Sequence, residues 1–364
     1  MSSPAGFLQV FDLVLTTQTP LFIGDGKTIL KKSYLYDKRT NQVSIFDEEK
    51  FFSLLLEKDL VDPFESFMLG RFDNLFTFLT QDCHLTESDW KSAVRYTFDA
   101  GAALDAHHTL SDIHAFIRDA AGRVYVPGSS VKGALRTILL HQMICEEGVE
   151  HTQLEPDRRT QCGVIPEGKY LHTLKLKQNR QDDMVNSIMR GIQVSDSMLI
   201  SDENMVLADK WDSQTNGSLK KVPVCRESIR PGTPIYLKLT LDQSILQGRI
   251  TKQSLMQAIN DFDRYYQETY LRQFSEPRNT ADTPSQNCLF LGGGAGFFTK
   301  SLVYPYLGKK RGLKKTVEIM CSNQKFRFHR HDRDEALGIS PHTLKYTLYQ
   351  GKYYLMGLCG VEIR

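Results

Sequence analysis

The sequence predicts an α+β fold of two successive modules of similar type, the first carrying a helical insertion. Two observations predict it. Apolar strands of period two alternate with amphipathic helical stretches in two consecutive sets, one over residues 1–200 and one over 201–364. Between about residues 47 and 100 the texture instead becomes helical throughout, which marks an insertion within the first set.

In chain order, LQVFDLVLTTQTPLFIG places apolar residues at Phe11, Leu13 and Leu15 and then reaches Gly24-Asp25-Gly26, a strand followed by a turn. SYLYD and QVSIF read as the second and third strands. EEKFFSLLLEKDL, FESFMLGRFDNLFTFL and TESDWKSAVRYTF have helical spacing, the last opening on a capping-box pattern from Thr86 to Asp89. Residues 113–118 and 123–126 flank Asp119-Ala120-Ala121-Gly122, a hairpin turn, and a helix over residues 131–145 follows. The polar stretch from Glu146 to Tyr170 has little periodicity and reads as loop, whereas QDDMVNSIM reads as helix. VSDSMLISDENMVLADKW opens the second β-rich region. PGTPIYLKLTL is then a strand, SLMQAINDFDRYYQETYL an amphipathic helix and YYLMGLCGVEI a closing strand.

With 364 residues, 41% hydrophobic and 24% charged, the chain has globular composition and room for two or three domains. Its longest apolar runs, such as Ile138 to Leu140, fall far short of the roughly 20 residues of a membrane span. The N-terminus lacks a basic n-region and a cleavage signature, so a cytoplasmic protein with no membrane partner is expected. Seven cysteines form no CxxC pair, which argues against a disulfide framework or a thiolate zinc site. The net charge of +2 conceals an asymmetry: residues 1–120 hold 11 Lys/Arg against 18 Asp/Glu, the rest 34 against 25. Lys300 to Arg333 alone contains ten basic residues against Glu318 and Asp332. A basic surface of this kind suits nucleic acid.

Two glycine-bearing motifs stand out. In VYVPGSSVKGALRTILL, Ser129 or Ser130 reads as a helix N-cap, while Lys132 and Arg136 share a face four residues apart. Cations in the first turns oppose the helix dipole unless an anion is bound there; the alternative is a capped helix with solvated charges. A P-loop is excluded, because Ala134 and Leu135 stand where GxxxxGK[ST] needs Lys and Ser/Thr. In LFLGGGAGFFTKSLV a dinucleotide fingerprint fails at Phe297. What remains is either a loop that brings backbone close to an elongated ligand, next to Thr299 and Lys300, or simply a tight turn.

Together these motifs resemble the RAMP superfamily of CRISPR-associated proteins. Four stretches match in order: FDLVLTTQTPLFIGDG, YVPGSSVKGALRT, VCRESIRPGTPIYLKLTL and LFLGGGAGFFTKS. The likeness is strongest to the RAMP subunit of type III-A (Csm) effectors that caps the crRNA at its 3′ end, and it leaves the helical insertion and residues 146–168 uncovered. It implies two ferredoxin-like (RRM-like) modules, with crRNA, the backbone RAMP subunit, the small subunit and host nucleases as partners. Carried over, it assigns crRNA contact to Gly128, Ser129, Ser130, Lys132, Gly133 and Arg136, and to Gly292, Gly293, Gly294, Gly296, Thr299 and Lys300. A guide RNA is a string of phosphates to be held without being read, which Arg, Lys, hydroxyls and main-chain N–H groups do. Among Phe297, Phe298, Tyr304, Phe326 and Phe328, one or two are expected to stack on bases.

Some RAMP proteins cleave RNA with a histidine, which brings Asp105, His107, His108, Asp112 and His114 into question. The adjacent histidines would face opposite sides of a strand, and no metal-ligand spacing occurs. The His329 to Asp334 run reads as a solvated, RNA-facing charge cluster, and Asp182 and Asp183 diverge around a helix axis. No catalytic residue, metal or cofactor is therefore expected. A RAMP endoribonuclease and a subunit binding the crRNA 5′ handle are the competing readings.

Overall fold

The computed structural model describes residues 6–71, 74–103, 111–157, 160–177, 183–283, 286–324 and 329–364. It is a mixed α+β structure in which two sheets dominate. The first has five antiparallel strands in the order Cys288–Phe290, Leu358–Ile363, Leu8–Thr17, Pro234–Asp242, Ile192–Val194. Alternation along LQVFDLVLTT sets its faces: Leu13 and Leu15 lie opposite Leu237 and Ile235 and are buried with them. On that buried face lie the helix Gly128–Glu147, through Val131, Leu135 and Ile138, and the helix Lys252–Thr269, through Leu255, Ile259 and Phe262.

The second sheet runs Gly24–Ile29, Ile113–Phe116, Leu219–Ile229, Met205–Gln214, Val94–Asp99, Gln42–Phe46, Tyr34–Asp37, and the hairpin Thr343–Tyr349/Lys352–Leu355 joins it beside Met205–Gln214. Each sheet draws strands from both sides of residue 200. The insertion comprises helices Glu48–Glu57, Val61–Leu69, Leu75–Thr77 running on to Asp82, and Glu87–Trp90, the last with the expected Thr86/Asp89 capping box. They close over their own core, in which the rings of Phe46 and Phe51 stack 4.2 Å apart and those of Phe67 and Phe78 4.6 Å apart.

Several local expectations are corrected. Gly24 opens the strand Gly24–Ile29 rather than only a turn, because Gly24 and Thr28 pair with Phe116 and His114. The insertion ends before Val94, where a strand pairs with Gln42–Phe46. The closing strand is two: Gly357 has φ 86°, and Lys352–Leu355 and Leu358–Ile363 on either side of it enter different sheets. QDDMVNSIM forms, within its described part, two short 3-10 turns, Met184–Asn186 and Ile188–Gly191, capped by Asp183 and Ser187. The polar stretch after Glu146 contains a hairpin, Glu155–Asp157 with Thr160–Val164, and the short helix Glu167–Leu171. Among the described residues no helix is long and apolar enough to cross a membrane.

Candidate nucleic-acid interface

The helix bearing PGSSVKGALRT begins at Gly128, with Pro127 and not a serine in the cap position. The reason is that Asp196 Oδ1 accepts the Gly128 N–H at 2.8 Å, so a side chain from elsewhere satisfies the first turn. Gly128 is pinned there, since a Cβ would lie 2.3 Å from the Val194 carbonyl oxygen and 2.4 Å from that of Ser195. Ser129 is therefore free of capping duty and exposed, with Ser130 partly so. Gly133, also exposed, has open space where a side chain would be. Lys132 is half-buried and has no ion pair among the described residues, and burial pushes its ammonium below the usual lysine range.

Arg136, one turn on, is ion-paired with Glu167 and stands where two clefts meet. One, of about 420 Å³, is lined by Lys132, Arg136, Arg190, Met184 and Val185. The other, of about 590 Å³, brings Arg136 and Thr137 opposite Phe297, Lys300 and Ser301. A third, of about 450 Å³, shares Leu154 and Gly163 with the second and is lined by Arg311, Lys314 and Lys315. The last three residues lie on the helix Val303–Ser322, which breaks at Gly308 (φ 74°, ψ 165°). Shared lining residues place the three clefts next to one another, a series termed the trough. Along it Glu167 and Glu318 are paired with Arg136 and Lys315, whereas Lys132 and Lys314 have no ion pair among the described residues.

The glycine loop leads into the second cleft, which Phe297 and Lys300 just after it line. Its Gly293 N–H donates to the Phe22 carbonyl at 2.7 Å, and Leu291 N–H to that of Gly357 at 2.8 Å. A Cβ on Gly292 would fall 2.0 Å from the Phe22 oxygen, so Gly292 and Gly293 serve a close backbone approach to Phe22. Gly294 lies against Met356 and Arg226, while Gly296 faces open space. Lys300 is exposed and its Nζ donates to the Gly292 carbonyl at 2.6 Å, clasping the loop at the trough. Thr299 is buried, and its hydroxyl donates to the Ala295 and Gly296 carbonyls at 3.1 and 3.3 Å, which leaves it holding the loop from within. Of the aromatics named above, Phe297 lines the trough, Phe298 and Tyr304 are core, and Phe326 and Phe328 lie outside the described residues.

Asp105, His107, His108 and Asp182 also lie outside the described residues. His114 is partly buried, its Nδ1 3.2 Å from Thr28 Oγ1, and burial followed by the charge of Arg226 lowers its pKa. The HRHDRD run is not wholly solvated: His331 and Asp334 are buried, with His331 Nδ1 2.9 Å from Asp334 Oδ2 and His342 Nδ1 2.5 Å from Oδ1. Burial pushes the Asp334 carboxyl up, but hydrogen bonds with the two imidazoles outweigh it and bring it to about 2. Among the described residues this is the group whose donors match a metal site, yet both ring nitrogens already meet the carboxylate. Sequence reasoning missed Glu167, in a stretch with no period to place it, and Arg190, at the end of a stretch read as helix that forms 3-10 turns instead.

The chain is similar to the CRISPR system Cms protein Csm5 of Streptococcus thermophilus, 29% identical over 304 residues, 81% of this chain and 80% of that one. It is 26% identical over 389 aligned residues to the protein of the same name from Enterococcus italicus, covering 98% of each. In three dimensions it resembles a chain of the cryo-EM structure of a Csm–crRNA–target RNA ternary complex of a type III-A CRISPR-Cas system, with a TM-score of 0.62 at 18% identity, covering 97% of this chain and all of that one. It also resembles the crystal structure of T. onnurineus Csm5, with a TM-score of 0.58 at 16% identity over 95% of this chain and 99% of the other. The sequence model of the RAMP superfamily matches residues 14–337, nearly the whole fold including both glycine-bearing motifs, and the chain belongs to that superfamily.

Proposed function

We propose that this chain is a non-catalytic RNA-binding subunit of a type III-A CRISPR effector, capping the crRNA at its 3′ end and supporting crRNA maturation and complex assembly in antiviral defence in the cytoplasm. The observation that carries the reading is that Arg136 and Lys300, one from each glycine-bearing motif, line the same cleft. Cations spaced along a trough neutralise successive phosphates and release counterions, which gives affinity without sequence reading. On this reading Ser129, Ser130 and Gly133, on the helix that carries Lys132 and Arg136, and Gly292, Gly293, Gly294 and Gly296, in the loop that Lys300 clasps, contribute to holding the RNA, while the buried Gly128 and Thr299 fix the positions of helix and loop.

The five-stranded sheet supports a ferredoxin-like reading: Leu8–Thr17, helix Gly128–Glu147, Ile192–Val194, Pro234–Asp242, helix Lys252–Thr269 and Leu358–Ile363 follow one another as β-α-β-β-α-β. Residues 1–200 then supply the helical insertion and the PGSS helix, and 201–364 the glycine loop. The insertion exposes Phe52 and Leu56 on the helix that carries Glu48, Glu49 and Glu57, and Leu69 on the next, a surface suited to docking on the backbone or small subunit. Host nucleases would meet the RNA end that this subunit leaves uncovered.

The test is Lys132→Glu/Arg136→Glu. RNA affinity should fall, and the slope of log K against log salt should shrink by about 0.7 for each phosphate that is no longer neutralised. Unchanged affinity and unchanged crRNA loading in the reconstituted effector sink the reading. Incubation with repeat RNA in EDTA tests the absence of catalysis; specific cleavage abolished by His114→Ala overturns it.

A further inference from the structure

Across the glycine loop from the trough lies a second set of cations that the function proposed above does not use. In the strand Leu219–Ile229, Cys225 and Glu227 are 2% and 0% exposed and point into the core. Arg226 between them therefore points to the opposite face. Its register partners are His114 and Ala208. On the same face Asp212 pairs with Lys345, whose Nζ is 2.8 Å from its Oδ1, and Lys210 Nζ is 3.7 Å from the same oxygen. Two lysines thus share one carboxylate, and Arg226 shares their face without an ion pair of its own among the described residues.

Arg226 is the least satisfied of them. Its guanidinium meets Met356 Sδ at 3.1 Å and lies 5.5 Å from the Phe22 ring centre, and among the described residues it has no ion pair. A thioether is a weak acceptor, and a half-buried planar fork of five donors has its natural complement in an oxyanion. Burial also pushes Arg226 and Lys210 below their usual ranges. The placement says which oxyanion. A Cβ on Gly294 would be 3.2 Å from Arg226 Nη1, and Lys300 holds the same loop through the Gly292 carbonyl. The loop is bracketed by one cation on the trough and another on the sheet.

We propose that Arg226 and Lys210 form a phosphodiester-binding subsite that carries the RNA path from the trough, over the glycine loop, onto the face of the nine-stranded sheet. This rests on the RNA-binding reading and extends it to an edge that neither motif marks. A free phosphate presents the same chemistry, so the experiment separates the two sources.

Fluorescence anisotropy is measured on the full chain with a ladder of single-stranded RNAs of increasing length, across a salt series. Arg226→Gln and Lys210→Gln should each reduce the salt slope by about 0.7 on the longer RNAs and leave the shortest, held in the trough alone, unaffected. Slopes unchanged at every length in both variants overturn the subsite. If Lys132→Glu/Arg136→Glu weakens binding in the same series while the two glutamine variants do not, the functional reading stands and the subsite falls; if none of the variants matters, both fall. Should Arg226→Gln fail to fold by circular dichroism, Lys210→Gln carries the test alone. Inorganic phosphate is the second probe: a thermal shift by phosphate that Arg226→Gln abolishes, without any RNA-length effect, assigns the site to a small anion and overturns the proposal.

Discussion

Gly292→Ala is the sharpest probe of the loop that leads into the trough. The added methyl would sit 2.0 Å from the Phe22 carbonyl oxygen, a backbone atom that cannot swing aside, and would impose φ 74° on a residue with a side chain. Left-handed strain costs roughly 1–2 kcal/mol. Relief of the clash moves the loop and breaks the 2.7 Å bond from Gly293 N–H to Phe22 and the 2.6 Å bond from Lys300 Nζ. Each broken hydrogen bond adds about 1 kcal/mol, for a total of about 3–4 kcal/mol. Gly296→Ala is the matched control: its φ is 91° but its Cβ meets nothing within 4 Å, so only the strain of roughly 1–2 kcal/mol applies. In a chain of this size each kcal/mol lowers Tm by about 2 °C, so scanning fluorimetry should show losses of about 6–8 °C and about 2–4 °C. RNA affinity should fall further in the first variant, because Lys300 loses its anchor. Equal Tm losses in the two variants refute the packing argument.

Two further predictions concern the core. His141, buried against Phe262 and Tyr265, is lowered to about 4 by desolvation. Folding favours its neutral form, so the stability it supports is complete above about pH 6.5 and is lost as pH falls toward 4, by up to about 3 kcal/mol. Asp263 on the facing helix is raised to about 6 by desolvation and works in the opposite sense, gaining stability as it protonates. Relative to wild type, His141→Leu should therefore become more acid-tolerant and Asp263→Asn less so; urea unfolding at pH values across this window checks both signs. Glu227, fully buried, accepts from Tyr96 Oη at 2.7 Å and Phe116 N–H at 2.9 Å and faces Arg118 Nε at 3.8 Å. Glu227→Ala strands these groups and should cost about 3–5 kcal/mol in denaturant unfolding, with Glu227→Gln losing less.

Local periods were legible because they are imposed by the backbone: alternation at Leu13 and Leu15, the apolar stripe at Val131, Leu135 and Ile138, and the capping box at Thr86 all appear where the pattern puts them. Partnership was not. Nothing near Leu13 announces Leu237 or Ile363 as its neighbours, since register between distant strands leaves no short-range trace. The same applies to the site. Lys132 and Arg136 could be placed on one helix face, but Glu167 reaches the trough from a segment without a period and Arg190 from one read as helix that folds as 3-10 turns. A glycine in a sequence also does not say what it approaches; Gly292 approaches Phe22. The serine cap failed for a related reason, because the donor was satisfied by Asp196, 68 residues away.

The strand Leu8–Thr17 lies between Pro234–Asp242 and Leu358–Ile363, and Asp12 exchanges backbone hydrogen bonds with Arg364. A ribosome must therefore deliver residue 363 before this strand can acquire its second neighbour. Until then a nascent chain carries an unpaired edge made of alternating apolar residues, a liability that a chaperone or an assembling partner would have to cover. Closure of this sheet thereby waits on translation of every element described above.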